Sequence, residues 1–418
     1  MFLEERRNRI LTYLDRHGRA SVECLAKEFA VTRETIRSDL NALATMHLIQ
    51  RCHGGAIVTR RSLQSELITP HGEKFDVLLK RLGKQRHPQT IRNKGSKMNG
   101  KVCILGSFNV DIVAKVARFP KGGESLMAQG STLGPGGKGA NQAMAASRAG
   151  SRVHFVSKVG KDQFSQFAYD HLASSDILSF TLYQSETEPT GNAIIYVSQQ
   201  NGENMIAIYP GANQTINEDE VVAITPELSH ADVLLLQLEN NFSATLNAMK
   251  LAHALDKKVI LNPAPYSSDI LPYIDYIDII TPNETEASLL SGVDIHDLDS
   301  AKTAALKIAE LGARCVIITM GARGALLLDS QQFQHIPAFP ALSIDTTGAG
   351  DAFNGAFAAA IANGQNLVQA ATYASAFASL AVEREGAANM PEHRQVNARL
   401  AQHRPPLRGK EHHSVRSK

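Results

Sequence analysis

Long apolar runs are missing from this 418-residue sequence. None approaches the roughly 18 residues that a membrane-spanning helix needs. The opening MFLEERRNRI brings charges at once with no apolar stretch behind them, so a secretory signal is not expected. Cysteine is scarce. Cys24, Cys52, Cys103 and Cys315 are scattered without a CxxC spacing, so they outline neither a disulfide framework nor a zinc site and fit a reducing, cytoplasmic location. There is no internal repeat, and no GxxxxGK[ST] string, which excludes a Walker A loop. What is there is a globular composition, 43% apolar and 20% charged. Its length suits one large domain plus a smaller module. The net charge of +2 hides an asymmetry: residues 1–98 hold 19 Lys+Arg against 10 Asp+Glu, a net of +9, and the remainder carries −7. A basic head on an acidic body suggests that the head meets a polyanion, although ordinary solubilising charge gives the same count.

Hydrophobic spacing then divides the chain. Ile10, Leu11 and Leu14 recur at helical spacing within residues 2–17. Ser21, a suitable N-cap, precedes a second helical face of Val22, Leu25, Ala26 and Phe29. After a break at Val31, Thr32 opens a third helix with Ile36, Leu40 and Leu43 on its inner side. Two short helices across so tight a turn have the shape of a helix-turn-helix. LIQRCHGGAIV follows, two β-prone stretches around Gly54-Gly55 that read as a small hairpin or wing. Residues 60–98 lack a sustained period, hold ten basic groups against three acidic ones, and read as a basic linker with a helix near 73–83. Residues 401–418 read as a basic, disordered tail. Between them strands and helices alternate. Strands are expected at 101–105, 153–156, 193–197, 205–209, 232–238, 258–261, 278–280, 315–319 and 324–328, and helices at 139–149, 163–173, 243–255, 300–311, 350–362 and 367–383. The alternation implies a parallel sheet covered on both faces, with ligands at the carboxyl ends of its strands.

The most informative string is Asp345-Thr-Thr-Gly-Ala-Gly-Asp351-Ala-Phe-Asn-Gly355. Gly348 and Gly350 let backbone approach a ligand. The helix that follows points its first N–H groups into the turn, an anion site suited to a phosphoryl group in transfer. Asp351 stands where it can take the proton of an attacking hydroxyl. Taken alone, the string is better read as an aspartate capping a helix behind a glycine turn. Gly134-Pro-Gly-Gly-Lys-Gly-Ala-Asn-Gln-Ala143 is a second glycine loop opening a helix, with Lys138, Asn141 and Gln142 as polar heads. Asn283-Glu-Thr-Glu286 follows a buried strand and offers an amide and carboxylates suited to Mg2+ and its waters. Thr319-Met-Gly-Ala-Arg-Gly324 ends another strand with glycines that can face a nucleotide. Asn109 and Asp111 close the first strand of this body and suit sugar hydroxyls. Glu239 follows an apolar strand, a costly place for a carboxylate without a partner.

With these residues in view, the stretch from about 100 to 398 resembles ribokinase-type members of the PfkB carbohydrate kinase family. The shared strings run in family order: GSFNVD (106–111), GGKGANQA (136–143), GAN (211–213), LLQLE (235–239), NPAP (262–265), TPNETEA (281–287), TMGARG (319–324) and DTTGAGDAFNG (345–355). The resemblance implies an α/β protein, a ribokinase-like three-layer α/β/α sandwich over residues 99–400 with a small β lid from residues near 112–130 and 190–208. It implies ATP-dependent phosphorylation of D-ribose to D-ribose 5-phosphate. By the same resemblance Asp351 is the catalytic base, with Ala349 and Gly350 as the anion hole. Asn109, Asp111, Gly137, Lys138, Asn141 and Glu239 bind the pentose together with Asp351. Asn283 positions the phosphates and Glu286 the Mg2+. Thr319, Gly321 and Gly324 line the ATP site with Gly348 and Gly350. A monovalent cation, K+, is implied on Asp345 and the Thr347 carbonyl, with further carbonyls at Val382, Glu385 and Ala387. Here VEREGAANMP is one residue shorter than the family's segment, and Asn389 stands near a family serine. An amide at Asn109 can bond a hydroxyl, which favours ribose over 2-deoxyribose.

Val31-Thr-Arg-Glu-Thr-Ile-Arg-Ser-Asp-Leu40 with LIQRCHGGA (48–56) resembles the DeoR-type winged helix-turn-helix of sugar regulators, here over residues 1–59. The resemblance places Arg33, Thr35, Arg37 and Ser38 against the major groove or phosphates of operator DNA, and Arg51 and His53 of the wing against its backbone. Paired half-sites and the kinase lid both imply a homodimer. Three readings stay open: an active kinase that is also a local regulator, a repressor whose kinase fold senses a sugar, and a kinase with a vestigial head. Within kinases, 2-deoxyribose, fructose or a nucleoside are the other substrates.

Overall fold

The computed structural model describes residues 6–7, 9–11, 13–14, 19–45, 49–52, 54–58, 75–84 and 100–403. It forms two units, Met1–Lys74 and Phe75–Lys418.

In the first unit, the described residues between 6 and 14 are helical and bury Ile10 and Leu14. Helix Val22–Glu28 starts where expected, because the Ser21 hydroxyl accepts the Cys24 N–H at 3.1 Å. Helix Arg33–Thr45 follows, opened by Thr32, whose hydroxyl accepts the Thr35 N–H at 3.2 Å. Its Ile36, Leu40 and Leu43 join Ile10, Leu14 and Leu25 in one core. The wing is the antiparallel pair Ile49–Cys52 and Gly55–Val58. A third strand, Arg19–Ser21, which no hydrophobic period announces in three residues, pairs with Gly55–Val58. Asp39 is buried within this unit and holds Arg6 at 2.5 Å and Arg7 at 3.1 Å. A buried carboxylate needs such partners, and these tie the first helix to the third.

The second unit is built on a nine-stranded sheet. Its strands run, in order across the sheet, Gln332–Ile336, Ala325–Asp329, Cys315–Thr319, Ile279–Ile280, Lys258–Leu261, Val233–Leu236, Lys101–Leu105, Arg152–Val159 and Ser179–Gln184. The expectation of a parallel sheet needs correction at one edge, where the first three of these pair antiparallel. The cause is connection length: the Gly321–Arg323 turn is too short for a crossover, and so short a link returns a strand antiparallel. Side chains alternate across the sheet. Val102, Ile104, Val233 and Leu235 enter a core with the helices Lys138–Arg148, Ala349–Ala362 and Leu367–Ala381. Cys103, Leu105, Leu234 and Leu236 enter another with the helices Phe242–Ala254 and Leu298–Glu310. The three-layer sandwich is therefore present.

A second, four-stranded sheet runs in the order Asn204–Tyr209, Asn192–Ser198, Asn109–Val116, Gly130–Gly136. This is the lid, and its first two strands in the chain run past the expected 112–130 at both ends. Asn109 does not close the first strand, which stops at Leu105; it opens the lid strand. Helix Phe75–Lys84, inside the expected linker, buries Phe75 and Leu78 against the kinase body beside the Phe242–Ala254 helix. The rest of the linker lies outside the described residues. At the other end, helix His393–Gln402 runs two residues into the expected tail, and residues 404–418 are not described. Among the described residues no helix is long and apolar enough to cross a membrane, and all four cysteines are free.

Candidate active site

Asp351 lies in the first turn of the Ala349–Ala362 helix, behind Gly348, whose φ of 77° favours glycine. A helix start leaves its first N–H groups without intrahelical acceptors. Here the Ala349 N–H already donates to the Thr346 carbonyl at 3.1 Å. Among the described residues the N–H groups of Gly350 and Asp351 have no acceptor. The pair of amides open to an anion is thus shifted one residue along from the expected Ala349 and Gly350. The carboxylate itself is 6% exposed. Its Oδ2 accepts from Asn141 Nδ2 at 3.1 Å and its Oδ1 from Gln142 Nε2 at 3.0 Å.

Lys138, Asn283, Glu286, Thr319, Gly348, Gly350 and Asp351 line one cavity of about 180 Å3 at the carboxyl ends of the parallel strands. The Lys138 ammonium is pushed above its ordinary range chiefly by Asp351, against the opposing effect of burial, with help from Glu239 and Glu286. It is therefore a fixed positive charge. Burial raises the Glu286 carboxyl, which the Asn283 N–H and Lys138 only partly offset. Asn283 and Glu286 cap the Glu284–Ser291 helix reciprocally, each side chain accepting the other's N–H at 2.8 Å. One Glu286 oxygen remains for a hard cation, so this donor set fits Mg2+. Gly321 and Gly324 are not among the residues that line this cavity. Gly324 serves the chain reversal, where a Cβ would meet the Ile336 carbonyl at 2.0 Å.

The residues expected to hold the sugar gather around the start of the Lys138–Arg148 helix, which Gly137 caps. Glu239 has the partners its position demands: the Lys138 N–H at 3.0 Å and the Ser107 hydroxyl. Asn109 is buried and its Oδ1 accepts from Asn213 Nδ2 at 2.9 Å. Burial, and then Glu239, push the Asp111 carboxyl up to about 6. The residues expected to hold a monovalent cation are already partly engaged by the protein. Asp345 receives the N–H groups of Thr347 at 2.8 Å and Gly386 at 3.0 Å. The Val382 carbonyl already accepts from Ile344 at 2.8 Å and Asp345 at 3.1 Å, so its lone pairs are taken and it does not fit a cation ligand. The Glu385 carbonyl takes Asn389 Nδ2 at 3.4 Å while its side chain pairs with Lys115 at 3.0 Å. Ala387 packs against Gly348.

On the first unit Arg33, Arg37 and Ser38 are exposed and Thr35 is half-buried, all on the Arg33–Thr45 helix. Arg33 pairs with Glu23 at 2.9 Å and Arg37 with Glu34 at 3.2 Å. Arg51 is half-buried, with Nη1 enclosed and without a partner among the described residues. His53 lies outside the described residues.

Residues 99–394 match the model of the pfkB family of carbohydrate kinases. The chain belongs to that family. It is a sugar kinase, and residues 6–62 match the DeoR-like helix-turn-helix domain, which joins a DNA-binding type of module to the kinase. Over 306 residues the kinase is 37% identical to the ribokinase of Haemophilus influenzae, covering 73% of this chain and all of that protein. It is 33% identical over 302 residues to the deoxyribokinase of Salmonella typhi, covering 72% of this chain and 98% of that one. The structure of Arabidopsis thaliana ribokinase complexed with ribose and ATP superposes with a TM-score of 0.65 at 30% identity, over 72% of this chain and 99% of that one.

Several polar residues of this kinase site escaped sequence reasoning. Asn262, Thr281 and Asn354 line the cavity, and Gln237 and Asn213 stand behind it. Asn354 was reachable: it is three residues after Asp351 on a helix, hence on the same face. Gln237 was not, since an amide inside the apolar string LLQLE has no sequence-local partner.

Proposed function

We propose that this sugar kinase transfers the terminal phosphoryl group of ATP to the 5-hydroxyl of D-ribose, with Asp351 as base, and that its first unit is a sequence-specific transcriptional regulator. The single observation that carries the kinase reading is the meeting of Asp351, Lys138, Asn283 and Glu286 in one cavity. In this account Asn109, Asp111, Gly137, Asn141 and Glu239 hold the sugar. Asp351 accepts the hydroxyl proton as the oxygen attacks the γ-phosphorus. The N–H groups of Gly350 and Asp351 and the Lys138 charge face the oxygens of the group in flight. Asn283 and Glu286 would hold Mg2+, which when bound neutralises phosphate charge. Thr319 and Gly348 border the nucleotide. Asp345 and the carbonyls of Thr347, Glu385 and Ala387 are the remaining oxygen-bearing positions for K+, and no step is assigned to it.

Ribose rather than 2-deoxyribose is supported by the amide at Asn109 and by the resemblance to ribokinases. The working division is a head at 1–59, a linker at 60–98, a kinase at 99–400 and a tail at 401–418, acting as a homodimer. Exposed Met205, Ile206 and Ile208 on the lid suit that state. A coupled ATP-consumption assay over pentoses, hexoses and nucleosides tests the substrate: faster turnover of 2-deoxyribose than of ribose would overturn the choice. Asp351→Asn is expected to lower kcat by about 10²–10⁴-fold with folding unchanged. Wild-type turnover in that variant would remove Asp351 from the chemistry.

A further inference from the structure

Two amides behind Asp351 line neither the cavity nor the sugar side. Gln142 is wholly buried and Gln237 is 1% exposed. Gln142 Nε2 has two hydrogens and two acceptors, Oδ1 of Asp351 and Oδ1 of Asn262, each at 3.0 Å. Its Oε1 accepts from Gln237 Nε2 at 2.7 Å. That last bond decides which way the Gln142 amide points. With its oxygen held by Gln237, its NH2 must face the carboxylate. Turned over, it would set a carbonyl against a carboxylate and a second carbonyl. Gln237 does this at some expense, since its own Oε1 is buried and has no partner among the described residues. An orphaned buried acceptor is destabilising, and an apolar side chain of similar volume would serve packing better. Asn262 in turn is anchored, donating to the Thr281 carbonyl at 3.2 Å.

We propose that Gln142, with its amide oriented by Gln237, is a positioning residue for the base: it donates to the charged carboxylate of Asp351 and fixes the direction in which that carboxylate meets the sugar hydroxyl. The proposal rests on the reading of Asp351 as base. Asn141 grips the other oxygen, but it stands among the sugar-side residues. The Gln237–Gln142 chain has no ligand to bind and acts only through Asp351.

The test is steady-state kinetics of the full-length protein with D-ribose and MgATP, for Gln142→Met, Gln237→Met, the double variant and Asp351→Asn. Gln142→Met is expected to lower kcat about 10–100-fold, the loss typical of a misaimed reacting group. The sugar KM is expected to stay within about threefold, since the sugar contacts other than Asp351 are untouched. The acid limb of the kcat profile is expected to move to higher pH, because a donor that favoured the charged form has gone. Gln237→Met should move kcat and the acid limb the same way by less. The double variant should be no worse than Gln142→Met alone, because Gln237 acts through Gln142. Wild-type kcat and acid limb in Gln142→Met would overturn the proposal. So would losses that multiply in the double variant, or a fall in kcat accompanied by weakened sugar binding and an unmoved acid limb. Should Gln142→Met not fold, the profile of Gln237→Met decides. Full activity in Asp351→Asn would overturn the underlying reading of the base, whereas an inactive Asp351→Asn beside an unaffected Gln142→Met overturns only the positioning role.

Discussion

Asp111 is a carboxyl whose charge changes near the working pH. Burial and the neighbouring Glu239 raise it to about 6, so it is ionised above that pH and protonated below. In the proposed site the anion accepts a sugar hydroxyl. Sugar affinity should therefore be flat above pH 6 and weaken as pH falls, by up to about tenfold per unit. Calorimetric titration of ribose between about pH 5 and 8 measures it. Asp111→Asn should give weaker binding with a flattened profile, and an unchanged inflection in that variant would assign it elsewhere.

At the scale of elements, the site depends on two helices meeting closely. Gly355 lies one turn beyond Asp351, where a Cβ would stand 2.3 Å from the Gln142 carbonyl and 2.5 Å from the Ala145 Cβ. That contact brings Asn141 and Gln142 within reach of Asp351. Gly355→Ala should cost about 1–3 kcal/mol through overpacking. It should also lower kcat by spreading the helices. Denaturant midpoints and turnover numbers check both, and a stable variant with unaltered kcat would refute the argument. The glycine-rich strings and the short apolar strands were legible because their meaning is local. Others were not. Asn283-Glu-Thr-Glu286 read as a ligand pair, yet the same letters are a capping box, so the Glu284–Ser291 helix went unseen. GALLL is apolar throughout, and nothing in such a run distinguishes a parallel core strand from the hairpin strand it is. The amides left open at this helix start lie one residue along from the expected pair because the Ala349 N–H closes a turn onto Thr346, a detail of backbone geometry that letters do not carry.

At the scale of the whole molecule, composition already separated a basic head from an acidic body, and the two units keep separate cores. Separate cores make perturbations separable, since distant sites without shared partners add independently. On the head, Arg33 and Arg37 are exposed and held by Glu23 and Glu34. Exposed pairs of this kind contribute little to stability, so releasing them to DNA costs little. Arg33→Ala combined with Arg37→Ala should leave kcat and the ribose KM unchanged. Operator affinity should fall by about 1–3 kcal/mol for each arginine that reads a base. An arginine that meets a phosphate should instead reduce the salt slope by about one unit. Fluorescence anisotropy with labelled operator DNA at two salt concentrations separates these cases. Unaltered affinity and slope would mean that this helix does not face DNA, and a fall in kinase turnover would mean that the units are coupled more tightly than their separate cores imply.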